Sequence, residues 1–211
     1  AVTTLADELN AKKREYDAAV GAMHEVIKAQ PRNGGARFAA GMMLVEAGKL
    51  DAAAAEIEAM KKAVPQDLRS RYLEALVLFR RNEPAKAKEA LAPVLKAAPD
   101  HTPSLVLDGA IDYLLGQFGT AENALRRALA RQPQNAYARS LLAGTYLRLG
   151  QPDKAEEYYQ KAIGIVRKAL EIDETLGEAH ASMALLVQDR DWDLAGAERE
   201  YQRALELSPH Y

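Results

Sequence analysis

The chain contains no cysteine, which excludes a disulfide framework, a thiolate metal site and a cysteine nucleophile, and leaves the redox state of its compartment open. It also lacks long apolar runs. No stretch reaches the roughly 18 consecutive apolar residues of a membrane span, and the opening AVTTLADELNAKKREYDAAV has no uninterrupted apolar core of a signal peptide. A soluble chain without membrane contact is expected. An excess of one charge is missing too, since 28 Lys and Arg nearly balance 30 Asp and Glu. The doublets Lys12-Lys13, Lys61-Lys62, Arg80-Arg81 and Arg126-Arg127 are scattered. Phosphate binding needs a concentrated positive surface, so nucleic acid is not an expected partner. The 48% hydrophobic and 27% charged residues among 211 are the balance of a globular protein, which excludes disordered and fibrous classes.

Residue constellations for chemistry are equally sparse. His24, His101, His180 and His210 do not share the i, i+4 helical face that a zinc site would use, so no metal site is expected. Gly34-Gly35 and the turn from Gly116 to Gly119 lack the strand and following motif of a phosphate-cradling loop, so no nucleotide cofactor is expected. No serine has a base and an orienter beside it. The one carboxylate cluster is Glu74, Asp108 and Asp112, with Asp108 and Asp112 at i, i+4. Such groups can form an acid and base pair or a hard-cation site. Arg71 and Arg81 lie close enough in the pattern to neutralise Glu74, which favours a structural network. An enzyme is not expected.

What the sequence does have is a period. Pro31, Pro65, Pro99 and Pro133 recur every 34 residues, the signature of a repeat array. With each proline at repeat position 32, position 8 is small (Gly41, Ala75, Gly109, Ala143) and position 20 is alanine (Ala19, Ala53, Ala87, Ala121, Ala155). Position 24 is bulky (Met23, Ile57, Leu91, Leu125, Tyr159), and position 27 is Val26, Met60, Val94, Ala128 and Ala162. Small residues let two helices per repeat approach closely while residue 24 fills the gap beside them. Gly48, Gly116 and Gly150 end the first helices, and each proline follows a second helix that it cannot extend.

This pattern resembles the tetratricopeptide repeat, most closely in LLAGTYLRLGQPDKAEEYYQKAI, and the resemblance covers nearly the whole chain. It implies an all-α, right-handed superhelical solenoid of about six helix-turn-helix repeats. The first helix departs from the pattern in having Asp7 at a small-residue position. The last unit, Gly177 to Tyr211, has one extra residue in its turn. No extra polar helix follows it, so a bare apolar face and weak self-association are expected there.

Residues 34–155 further resemble the tetratricopeptide-repeat lipoproteins of bacterial exosortase (PEP-CTERM) systems, through ARFAAGMMLVEAGKLDAAAAEIEAMKKAVP, LKAAPDHTPSLVLDGAI and NAYARSLLAGTYLRLGQPDKA. That resemblance implies a cell-envelope parent, although without a cysteine this chain is not expected to carry the lipid. The tail from Lys168 to Tyr211 is similar instead to repeats attached to bacterial signalling proteins. Between the two the period breaks. Arg167 stands where a proline belongs, and the pattern recovers only if position 24 occurs twice, at Tyr159 and Val166, and position 27 twice, at Ala162 and Ala169. The seven inserted residues are two helical turns and rotate the apolar stripe by only about 20°. One helix over Asp153–Ile172 is therefore expected. A designed or recombinant splice of two helices leaves this mark, and so does a natural array with one long helix. The expected organisation is a regular array over residues 1–163 (repeats 1–33, 34–67, 68–101, 102–135 and 136–163), then an extended helix and an offset last repeat over 164–211.

In the tetratricopeptide family the inner surface is lined mainly by positions 2, 5, 9, 12 and 13. Carried onto this chain they are Phe38, Met42, Val45, Arg69, Tyr72, Leu76, Phe79, Arg80, Val106, Ala110, Tyr113, Tyr137, Leu147 and Arg148. Family members that clamp a terminal carboxylate use Lys and Asn at positions 5 and 9, where this chain has apolar residues, Ser140 and Gly144. The resemblance thus implies an apolar groove edged by arginine, suited to an amphipathic helix or an extended apolar peptide.

Overall fold

The computed structural model describes residues 17–191 and 193–207, and all regular structure among them is helical. Residues up to Pro99 form one compact unit and residues from Asp100 a second. The first unit contains α1 (residues 17–29), α2 (Gly34–Glu46), α3 (Leu50–Ala63), α4 (Leu68–Arg80) and α5 (Pro84–Ala97). The second contains α6 (Thr102–Leu114), α7 (Phe118–Arg131), α8 (Ala136–Arg148), α9 (Pro152–Ile172), α10 (Gly177–Asp191) and α11 (Leu194–Leu207). In each unit successive helices pack on one another, and first helices also touch first helices: α2 meets α4, while α8 meets α6 and α10.

The 34-residue period is visible in the helix boundaries. The first helices α2, α4, α6 and α8 each begin one residue after Asn33, Asp67, His101 and Asn135. Three of those residues cap the helix with a side-chain oxygen, Asn33 accepting from the Ala36 N–H at 3.0 Å, Asp67 from Arg69 at 3.0 Å and Asn135 from Ala138 at 2.9 Å. Each satisfies a backbone donor that the helix start leaves orphaned. His101 instead pairs its ring Nδ1 with the Ser104 hydroxyl at 2.8 Å.

The other end of these helices needs a left-handed residue. Gly48, Gly116 and Gly150 supply it at φ 66°, 72° and 71°, and in the repeat over residues 68–101 Asn82 does so at φ 58°. Asparagine is the non-glycine residue best suited to that region. Asn82→Val is expected to cost about 1–2 kcal/mol, the left-handed penalty of a branched side chain, while Asn82→Gly holds or raises stability. Urea midpoints of the two variants check this.

Close approach occurs where the pattern places small residues. Ala53, Ala87, Ala121 and Ala155 are completely buried. A Cβ on Gly41 would collide with Leu73 Cδ2, and one on Gly109 would sit 2.5 Å from Leu125 Cγ. The first repeat is an exception. Val26 is exposed at 37%, whereas Ile27 is buried against Ala36 and Ala40, and Val20 takes the buried place expected for Ala19. Helix α1 thus presents Val20, Met23 and Ile27 to α2; Met23 keeps its place in the frame set by the prolines, while Val20 and Ile27 stand one residue out of it. The helix expected around Thr4 to Lys13, the extra turn residue around Trp192 and the chain end beyond Leu207 lie outside the described residues.

Helices α3, α5 and α7 have 14 residues each, and α9 has 21. It runs unbroken through Gly164, with Ala155, Tyr159, Ala162, Ile163 and Val166 buried along one side. Both α8 and α10 pack on it.

Candidate partner-binding surface

In the first unit, Phe38 and Met42 lie one turn apart on α2, and Tyr72, Leu76 and Phe79 lie on one face of α4. All five are half-buried. The rings of Phe38 and Tyr72 meet at 6.3 Å between centroids, tilted by 52°, which joins the two helices' side chains into one apolar band. Phe38, Met42 and Leu76 rest on the core formed by Leu44, Val45, Leu73 and Val77. The band is therefore anchored from beneath while its outer atoms remain accessible. Burial raises the pKa of the Tyr72 hydroxyl above its ordinary value. Val45, expected at the surface, is buried in the core.

The arginines at the margin behave differently from one another. Arg80 is exposed. Arg69 folds back on Asp67, with guanidinium contacts of 2.7–3.1 Å. That pairing holds the Asp67 carboxyl below the usual range, chiefly through the hydrogen bonds from Arg69. The folded arginine lies over the start of α2, where a Cβ on Gly34 would be 2.7 Å from Asp67 and 2.8 Å from Arg69. Gly34 thus makes room for an ion pair.

In the second unit the expected residues divide. Val106 and Ala110 are buried and form floor, Tyr113 is half-buried, and Tyr137, Leu147 and Arg148 are exposed. Tyr113 packs edge-on against Phe118 at 5.7 Å, and Arg148 lies over the Phe118 ring at 5.1 Å, a cation–π contact. Phe118 belongs to this surface but falls outside the family's usual lining positions. Tyr146, Tyr158, Lys154 and Lys161 form a second aromatic and cationic cluster, with the two rings 5.4 Å apart. Burial and the nearby Glu122, whose carboxylate accepts from the Tyr146 hydroxyl at 3.2 Å, push Tyr146 up to about 12.

Within the first unit Glu74 is neutralised by basic side chains. Glu74 receives Lys61 at 2.7 Å and Arg71 at 3.1 Å, while Arg81 pairs with Asp51 across 2.5 Å. Lys61 is thus the partner that the linear pattern missed, and Arg81 serves another acid. Asp112 is buried within α6. His24 bonds Glu56 at 3.0 Å beside Arg37, and His180 bonds Glu200 at 2.7 Å. Among the described residues no group of three His, Asp or Glu side chains could hold a metal ion, and no helix is long and apolar enough to cross a membrane.

Models of the tetratricopeptide repeat match the sequence over residues 9–67 and 113–170, together more than half of it. No curated protein matches the chain in sequence. Among solved structures it is similar to the crystal structure of PilW, described as a widely conserved type IV pilus biogenesis factor, with a TM-score of 0.65 and 22% identity over 100% of this chain and 96% of that one. Similarity extends to PilF of Pseudomonas aeruginosa (TM-score 0.58, 18% identity, 85% of this chain and 79% of that one). It extends also to MamA (TM-score 0.57, 20% identity, 81% and 94%). At these identities the likeness is one of fold. Helix boundaries on a 34-residue period, buried alanines at the crossings and the matching repeat models agree, and the chain belongs to the tetratricopeptide-repeat family.

Proposed function

We propose that this protein is a non-enzymatic scaffold that holds a polypeptide partner, an amphipathic helix or an extended apolar segment, on the faces of its first helices. The observation that carries the reading is the Phe38–Tyr72 contact, which makes one band of five half-buried apolar side chains from residues 34 positions apart. Aromatic anchors set on a rigid floor are what a binding surface uses, because they add buried area at little cost in side-chain entropy. Neutralisation of Glu74 by Lys61 and Arg71 argues against catalysis there. Replacing Phe38, Tyr72 and Phe79 together by alanine should weaken partner binding by about a hundredfold with little change in helical content. Pull-down from a bacterial lysate, followed by titration of whatever is retained, checks this. A partner bound equally by the variant would remove the band as the site.

The length of α9 favours a second reading of the chain's origin, as a helix-fusion chimera whose band is inherited and has no ligand. Its extra seven residues coincide with the change in sequence style after residue 163. A natural genome encoding residues 150–180 contiguously would remove this reading.

A further inference from the structure

The second unit contains a polar recess that neither the apolar band nor the family's carboxylate-clamping pattern accounts for. Gly144 stands on α8, and a Cβ placed there would lie 3.6 Å from the Tyr113 hydroxyl of α6 and 3.7 Å from the Tyr159 hydroxyl of α9. The absent side chain therefore leaves a space on which two phenols converge. Tyr159 is only 3% exposed, yet neither its hydroxyl nor that of Tyr113 has a hydrogen-bond partner among the described residues. The Tyr159 hydroxyl, at the end of this buried ring, is thus open to a ligand atom or to water.

The local charge selects the ligand's sign. Asp189 of α10 acts electrostatically on Tyr159 and on Tyr201. Burial first, then Asp189 and Tyr113, hold the Tyr159 hydroxyl protonated far above its ordinary range. Although Asp189 is exposed as a residue, desolvation alone raises its carboxyl above the usual value. Two phenols could donate to an anion, but an anion would enter a field already negative. A cation would find two hydroxyl oxygens as acceptors and the negative field of Asp189.

We propose that the space above Gly144 receives the ammonium or guanidinium of a lysine or arginine side chain carried by a polypeptide partner, bound by the hydroxyls of Tyr113 and Tyr159 and balanced by Asp189. This rests on the scaffold reading and adds to it a requirement for a basic residue in the partner. It is the reverse of terminal-carboxylate capture.

The test uses the full chain, isotope-labelled for NMR, titrated with Nα-acetyl-lysine methylamide and its arginine counterpart. Norleucine and glutamate derivatives serve as apolar and anionic comparisons. Both basic probes should shift the Gly144 and Asp189 amides saturably, and norleucine should not. Tyr113→Phe and Asp189→Asn should each weaken binding by about tenfold, the loss expected for one hydrogen bond or contact to a charged group. Gly144→Ala should block the space while leaving the fold intact, since its Cβ meets only ordinary contacts. Equal shifts from norleucine, preference for glutamate, indifference to the variants or absence of saturation would each overturn the proposal. Probe binding without any captured partner would uphold the cation site and remove the scaffold reading. Partner capture without probe binding would remove this site alone.

Discussion

Ala87→Leu and Ala121→Leu should each destabilise their own unit by about 1–3 kcal/mol through overpacking. Both alanines have no exposed surface and sit where paired helices cross, so a larger side chain has nowhere to go without moving a backbone. Glu89→Leu, on the exposed side of the same helix as Ala87, should change little. Gly109→Ala is the sharper probe because two effects oppose each other there. Alanine is the better helix former by about 0.5–1 kcal/mol, but its Cβ would stand 2.5 Å from Leu125 Cγ, and Leu125 is itself completely buried. The contact should win and stability should fall. Urea unfolding read separately in the two units checks the series. If Gly109→Ala were stabilising, the close approach of α6 and α7 would be looser than described.

Much of this was legible in the sequence because a repeat imposes the same local demand many times. Asn33, Asp67 and Asn135 cap alike, and glycines at 48, 116 and 150 turn alike, so the period alone places the helix ends. The misreadings fall where that redundancy fails. Asn82 ends α4 at the place where Gly48, Gly116 and Gly150 end the other first helices, and a glycine pattern alone does not reveal it. In α1 the buried line shifted from Val26 to Ile27, since frame and hydrophobicity disagree there and burial follows hydrophobicity. The surface was legible one helix at a time, as i, i+4 pairs such as Phe38 and Met42. Contacts between helices were not. Sequence spacing does not show that Lys61 crosses to Glu74, that Arg148 stacks on Phe118, or that Tyr113 and Tyr159 meet above Gly144. Each depends on side chains whose spacing in the chain bears no relation to the period.

Helix α9 should be the element whose interruption the second unit tolerates least. Gly164→Pro removes the hydrogen bond to the Gln160 carbonyl and drives the ring against it, at a cost of about 3 kcal/mol or more. Gly164→Ala should instead stabilise by about 1 kcal/mol, because a Cβ there meets nothing within 4 Å. The two variants alter one position in opposite directions, so together they test the helix and not the packing around it. The consequence reaches beyond the local break. Val166, in the half of α9 beyond the glycine, is buried, and α10 packs on this helix and carries Asp189. Breaking α9 at Gly164 should therefore raise amide exchange in α10 and α11 more than in α6 and α7, and displace Asp189 from Tyr159. Hydrogen exchange read by mass spectrometry follows both effects. Uniform protection in the proline variant would mean that α10 and α11 are held by something other than the continuous helix, and that the seven extra residues are a spacer without a structural task.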